Sequence, residues 1–297
     1  MTFLNFRYQG ILNWSHVYNN ERDIKRPYSV DPYLQLLWLI PLGFFAGGYG
    51  TLIGAGGGFV LVPVLLFIYP GEAPETVTSI SLAVVFFNAL SGTLAYARSN
   101  RIHFKSGLIF AAATIPGAVA GALATTGMSR ERFNVSFGLL LIAMATFLAI
   151  NPGKKTAAGF AQAGSDTRKP LNLNGAPLIA GAGVSTVFGF ISSFFGIGGG
   201  FLYVPALVYL LRFPIHIATA TSLFVLTITA FTGSATHLTA GLFQHGLRRV
   251  IALSVGAIIG AQIAARFSHR IRGDWIIRSL AAALGLVGLR LVAAVFE

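Results

Sequence analysis

The sequence predicts an all-α polytopic membrane protein, two sequence repeats each of about four full spans plus a short glycine-broken half-helix. Three observations carry that prediction. The mean hydropathy is +0.72, with 55% hydrophobic and 10% charged residues in 297. An ordinary soluble domain carries roughly 25% charged residues, so this chain has too little polar material to coat a water-exposed globule. The apolar residues arrive in blocks of about 17 to 25, each enough to cross roughly 30 Å of hydrocarbon as a helix. The same glycine-rich motif occurs twice at nearly constant offset.

The elements follow in order. A polar arm at 1–32 contains no basic-then-apolar run of the kind that makes a cleavable leader. A span over Tyr33 to Ile53 runs into a glycine cluster, and a short apolar piece follows over Phe59 to Tyr69. Full spans are expected over Thr76 to Ala97, Gly107 to Thr126 and Phe133 to Ile150, so repeat 1 covers 33–150. Residues 151–175 hold Lys154, Lys155, Asp166, Arg168, Lys169 and Pro170 and form a polar connection. Repeat 2, 176–297, begins with a span over Pro177 to Phe195 that meets the second glycine cluster. A short piece over Phe201 to Leu211 comes next, then spans over Ala218 to Ala240, Leu247 to Phe267 and Trp275 to Phe296.

The repeat is visible residue by residue. Gly54-Ala55-Gly56-Gly57-Gly58-Phe59-Val60-Leu61-Val62-Pro63 returns as Gly196-Ile197-Gly198-Gly199-Gly200-Phe201-Leu202-Tyr203-Val204-Pro205, an offset of 142 (196 − 54). Thr78-Ser79 returns as Thr221-Ser222, and Gly117 with Gly121 returns as Gly256 with Gly260. Such doubling is common among secondary transporters. Parallel and inverted arrangements both remain open, because they turn on whether the short pieces cross the membrane.

Three glycines in a row destabilise a helix by about 1 kcal/mol each relative to alanine, and the backbone they loosen needs partners inside a bilayer. Spaced glycines such as Gly117 and Gly121 serve close helix packing. A consecutive run instead frees a turn of backbone, and a half-helix that starts there presents amide donors and the positive end of its dipole. The expected ligand is therefore a small anion, held by Gly56, Gly57 and Gly58 and by Gly198, Gly199 and Gly200. The nine carboxylates, Glu21, Asp23, Asp31, Glu72, Glu75, Glu131, Asp166, Asp274 and Glu297, fall in the arm, in loops, at span ends or at the C-terminus, which argues against a cation.

Neutral donors recur at matching positions. Thr51 corresponds to Ser193 and Asn88 to Thr229; each alone reads as a helix-packing group, and the paired recurrence makes them candidate ligands. His237, with Tyr96 as its counterpart at offset 141, reads either as an interfacial residue or as a gate or proton-coupling group. Ser222 and His237 lie 15 residues apart, about 22 Å along a straight helix, so both cannot hold one small anion. Arg98 and Arg278 either attract anions or anchor span ends.

Other classes fall away on composition. There is no cysteine, hence no disulfide, thiolate or cysteine-held metal, and no Gly-(x)4-Gly-Lys-Ser/Thr loop for a nucleotide. No enzyme constellation, metal site or cofactor is expected. The +12 charge sits mainly in short loops, where it marks topology and contacts anionic lipid rather than nucleic acid. The loop from Arg98 to Lys105 and the central connection then face the cytoplasm, and the loop with Glu72 and Glu75 faces outside. Arg248 and Arg249 pull one way in repeat 2, and Arg266, Arg270 and Arg272 pull the other. The expected partners are a small anion and membrane lipid in a multi-pass cell (inner) membrane protein, with oligomeric state open.

The doubled Gly-x-Gly-Gly-Gly-(x)4-Pro, the Thr-Ser some fifteen residues on, the run Ser91, Gly92, Thr93, Tyr96 and the run Gly233, Ser234, His237 resemble the TauE/SafE family of sulfite and organosulfonate exporters over about 33–297. The resemblance implies export of sulfite, sulfoacetate or a related small sulfur anion. It also implies a core of glycine segments, here Gly54 to Gly58 with Pro63 and Gly196 to Gly200 with Pro205, and as weaker site candidates Thr78, Ser79, Thr221, Ser222 and His237. The long polar arm and the tyrosine at 96 depart from the family pattern. A passive anion channel, or a carrier for another small anion, would need the same lining.

Overall fold

The computed structural model describes residues 32–150, 176–210, 213–241, 246–268 and 273–294. The arm up to residue 31, the connection at 151–175, and Arg270 and Arg272 lie outside the described residues.

The described chain is helical, with no strand among these residues. In order come α1 (Pro32–Ile53), α2 (Gly58–Ile68), α3 (Pro74–Arg98), α4 (Phe104–Ala124), α5 (Arg130–Ile150), α6 (Ala176–Phe195), α7 (Gly200–Pro205), a π turn (Ala206–Leu210), α8 (Ile215–Thr239), α9 (Leu247–Phe267) and α10 (Gly273–Ala293). Six of these, α1, α3, α4, α5, α8 and α9, are long and apolar enough to cross a membrane. α6 and α10 have comparable length, 20 and 21 residues. The expected spans therefore appear with ends shifted by a few residues. The second short piece differs more: its helix ends at Pro205 and continues as the π turn, whereas Pro63 stays inside α2.

Helix boundaries follow from local chemistry. α3 begins with Pro74 at its first turn and Glu75 beside it, and ends in Arg98, an arrangement that complements the helix dipole. His103 caps α4, its Nδ1 accepting from the Ser106 amide at 3.3 Å. α1 and α6 stop where glycines turn left-handed. Gly54, Gly56 and Gly57 have φ of 82, 73 and 78°, and Gly196, Gly198 and Gly199 have 71, 78 and 78°. Only glycine adopts that region without cost.

Contacts between helices fix their directions. Phe44 lies against Gly256 and Gly260, and Gly48 against Gly260, while Gly43 lies against Leu253; the order rises along both chains, so α1 and α9 are parallel. Phe110 lies against Gly181 and Gly121 against Phe190, so α4 and α6 are parallel too. In α3 and α8 the order reverses, with Gly92 against Leu223 and Gly233 against Leu82. α3 and α9 are parallel, since Ile80 meets Gly246 and Ser91 Oγ donates to the Ile258 carbonyl at 3.1 Å. α10 is antiparallel to α5, because Gly138 meets Leu291 and Gly285 meets Ala145. The short pieces reverse direction: Gly57, next to Ala46, starts α2, which ends where Arg130 at the head of α5 donates to the carbonyls of Leu66, Tyr69 and Glu72. Accordingly α1, α3, α5 and α9 point one way, and α4, α6, α8 and α10 the other. Each of α6, α8, α9 and α10 therefore runs opposite to the helix five places before it in the chain.

The glycines spaced by four do pack helices. A Cβ at Gly117 would meet the Phe190 amide nitrogen at 2.9 Å, and one at Gly256 the Phe44 amide nitrogen at 2.7 Å. Large apolar side chains such as Trp38, Phe45 and Leu286 point outward, as a bundle facing hydrocarbon requires.

Glu72, Glu75 and Glu131 gather at one end of the bundle. There Arg249 pairs with Glu72 at 2.8 Å and lies 3.9 Å over the Tyr69 ring, and Glu75 accepts from the Gly127 amide at 3.0 Å. At the other end Arg101 donates to Ser268 Oγ at 3.1 Å, which brings the loop after α3 beside the end of α9.

Candidate functional site

The two glycine breaks meet. A Cβ at Gly58 would stand 2.7 Å from Ile197 Cα, and one at Gly200 would stand 2.6 Å from Ala55 Cα, so backbone packs on backbone. Gly56 and Gly198 both touch the side chains of Val85 and Leu226. Val85 and Leu226 are each the twelfth residue of a 25-residue helix, so the breaks lie level with the middles of α3 and α8. The contacts are also exchanged between halves. Gly54 is pressed on Thr219 and Gly196 on Thr78, at hypothetical Cβ distances of 2.9 and 2.6 Å to the Cα atoms.

Each break tightens its own turn. Ala55 and Gly56 amides donate to the Gly50 carbonyl at 2.7 and 3.1 Å, and the Ile197 amide donates to Ser192 at 3.0 Å. α2 then starts with Gly57 as its N-cap and α7 with Gly199, neither receiving a side-chain cap. The first amides of a helix have no acceptor within it. Those of Gly58, Phe59, Gly200 and Phe201 have none among the described hydrogen bonds.

The polar side chains predicted from the sequence divide into groups. Around the first break, Thr51 Oγ1 donates to Asn88 Oδ1 at 3.4 Å, Asn88 Nδ2 donates to the Gly56 carbonyl at 3.2 Å, and the Tyr96 hydroxyl donates to the Thr51 carbonyl at 3.3 Å. All three are buried. Ser222 ties both breaks together, its hydroxyl lying 2.9 Å from the Gly54 carbonyl and 3.4 Å from that of Gly200. Thr78 and Ser79 donate to carbonyls one turn back in α3, at Glu75 and Thr76. Thr221 accepts from the His103 amide at 3.1 Å, and Thr229 donates to Thr114 Oγ1 at 3.0 Å. Ser193 lies against Gly233, and His237 is buried on α8 one turn beyond it. Arg98 and Arg278 are exposed, away from the breaks.

Tyr96 and His237 are each the twenty-third residue of their helices. Because α3 and α8 are antiparallel, the two stand toward opposite ends of the bundle. Sequence reasoning did not single out Thr114, Ser192, Arg130 or the Ser91–Gln262 pair, in which Gln262 Nε2 donates to the Ser91 hydroxyl and carbonyl at 2.9 Å. Ser192 was legible as a hydroxyl next to a break. The others acquire their partners only through tertiary contact.

A family model described as "Sulfite exporter TauE/SafE" matches residues 39–291. The chain belongs to the TauE/SafE family. It is similar to the "Probable membrane transporter protein YunE" of Bacillus subtilis, 33% identical over 264 residues, covering 86% of this chain and 96% of that protein. It is also similar to the "Probable membrane transporter protein MJ0441" of Methanocaldococcus jannaschii, 26% identical over 268 residues, covering 86% of this chain and 95% of the relative. A further relative, "Probable membrane transporter protein ORF9" from Sinorhizobium, is 28% identical over 267 residues, covering 89% and 95%. No solved structure matches the chain. This TauE/SafE protein is a multi-pass membrane transporter, as family, relatives and apolar helices agree.

Proposed function

We propose that this TauE/SafE protein is a secondary transporter that exports a small sulfur-containing anion, sulfite, sulfoacetate or a related organosulfonate, across the cytoplasmic membrane. The two five-helix halves act as inverted repeats around the paired breaks. The observation that carries this reading is the exchange of contacts at the breaks, Gly54 on Thr219 and Gly196 on Thr78, between halves whose helices oppose one another in direction. Inverted repeats that swap conformations expose one central site to each side in turn.

Small neutral donors and half-helix starts at mid-depth suit an anion, and the carboxylates among the described residues, Glu72, Glu75, Glu131 and Asp274, lie in loops or at helix ends. The family description supplies the sulfur chemistry. The end that carries Arg98, Arg101, Lys105 and Arg266 is placed in the cytoplasm. Arg249, which pulls the other way in the sequence, is held by Glu72 and Tyr69, so its charge is locally balanced.

The test is a substrate screen in proteoliposomes with sulfite, sulfoacetate, taurine, thiosulfate and sulfate. Saturable transport of sulfite or sulfoacetate, competed by the other, is expected. Transport of none of the five, with the protein folded and inserted, would overturn the substrate class.

A further inference from the structure

The halves differ in how their polar groups are satisfied. In the first, Thr51, Asn88 and Tyr96 form a closed set of hydrogen bonds on the break. In the second, the corresponding Thr229 turns to Thr114 and to the Val225 carbonyl. Among the described residues, buried side-chain atoms without a partner are the hydroxyls of Ser81, Ser106 and Ser254, Asn134 Oδ1, and, on α6 and α8, Ser192 Oγ, Ser193 Oγ and both ring nitrogens of His237. The last three residues are fully enclosed, Ser192 and Ser193 at 0% exposure and His237 at 1%. Buried polar groups in native proteins are almost always hydrogen-bonded, and a cluster of unsatisfied ones marks a place where something else binds.

These groups lie on adjoining stretches of α6 and α8 and beside the second break. Ser193 Oγ lies 2.7 Å from where a Cβ on Gly233 would stand, and Ser192 Oγ lies 3.0 Å from the same point on Gly199. Two glycines thus pack their backbone directly against the hydroxyls, where a side chain would collide with them. His237 follows Gly233 by four residues, on the same face of α8 and about 6 Å along its axis. Two hydroxyls and an imidazole supply at least three donors and no charge of their own at neutral tautomer.

We propose that Ser192, Ser193 and His237 form the binding subsite for the substrate's SO3 group, so that the anion is gripped mainly from the second half. This deepens the functional reading above and rests on it. Sulfite and sulfonates share a sulfur with three oxygen acceptors, which matches two hydroxyl donors and one ring N–H. It also relieves the sequence-based objection to His237 as a ligand: the partner residues are Ser192 and Ser193 at the break, rather than Ser222 fifteen residues away on the same helix.

The experiment measures equilibrium binding of sulfite and of sulfoacetate, by calorimetry on the full chain in nanodiscs, together with melting temperature without ligand. The variants are Ser192→Ala with Ser193→Ala, His237→Gln, and Thr51→Ala as the first-half comparison. For the double serine variant an affinity loss of at least tenfold is expected, with a ligand-free melting temperature equal to or above that of the parent, because hydroxyls without partners do not stabilise the fold. Thr51→Ala is expected to lose several-fold less affinity and to melt lower, since it breaks a made hydrogen bond. His237→Gln is expected to weaken both ligands, and less than His237→Phe does.

Unchanged affinity in the double serine variant would overturn the subsite and leave the transport reading standing. A lowered melting temperature with unchanged affinity would also overturn it, and would assign the pocket to structural water. Binding of phosphate but of no sulfur anion, lost in the serine variant, would keep the subsite as an oxyanion site and overturn the sulfur substrate. Binding of neither would overturn both.

Discussion

Replacing Gly57 or Gly199 by leucine is expected to abolish sulfite and sulfoacetate transport, and the two variants are expected to share that loss. Both glycines have φ of 78°, where a side chain costs roughly 1–2 kcal/mol before any contact is counted. Both cap the half-helices whose first amides lie at the meeting of the breaks. The structural penalties differ. A Cβ at Gly57 would stand 2.9 Å from the Ala46 carbonyl carbon, which is backbone, whereas one at Gly199 would meet the Ser192 side chain at 2.8 Å. Gly57→Leu is therefore expected to lower the melting temperature more, and Gly57→Ala and Gly199→Ala keep the test usable if leucine prevents insertion. The alanine variants should be inserted, melt lower than the parent, and transport at least tenfold more slowly. Parent-like transport in both would remove the breaks from the mechanism.

A second all-or-none result is expected from labelling. The chain has no cysteine, so one introduced cysteine is the only thiol a reagent meets. Gly71, with nothing within 4 Å of its would-be Cβ, and exposed Ser99 lie at opposite ends of α3 and tolerate the change. In intact cells a membrane-impermeant maleimide should react with the Gly71→Cys variant at once and with the Ser99→Cys variant only after permeabilisation. The end that holds Ser99 is the one the proposed function places in the cytoplasm, with Arg98, Arg101, Lys105 and Arg266. The reverse pattern would invert the placement of the Glu72–Arg249 pair and with it the assigned direction of export. Loss of that pair alone should matter little to stability, since exposed ion pairs contribute roughly 0–1 kcal/mol.

Much of the fold was legible in the sequence because a bilayer imposes one periodicity on everything that crosses it. Runs of apolar residues had to be helices, and consecutive glycines had to end them. The breaks at Gly54 to Gly58 and Gly196 to Gly200 fell where the motif put them, and the packing glycines Gly117, Gly121, Gly256 and Gly260 are at helix crossings. The direction of the short helices was not legible. Eleven apolar residues after a break fit a crossing or a return equally well, and only contacts such as Gly57 on Ala46 and Arg130 on the end of α2 decide it.

The position of the candidate residues was partly legible. Thr51, Asn88 and Ser193 stand out in the sequence through their recurrence, and each lies at a break or on its neighbour. Their difference was hidden, because whether a hydroxyl is satisfied depends on partners far away in the chain, as Thr229 on Thr114 across 115 residues illustrates. The partner of Arg249 was hidden for the same reason. That partner, Glu72, is 177 residues away.

Concentrative transport in proteoliposomes tests the central claim most directly. With an imposed proton gradient, labelled sulfoacetate should accumulate against its own gradient and equilibrate when an uncoupler is added, because a carrier with alternating access couples the two flows. A sulfonate carries no titratable proton near neutral pH, so the coupling must come from the protein. Rapid uptake that only equilibrates, with or without uncoupler and with no saturation, would make this protein a passive anion channel and contradict the account.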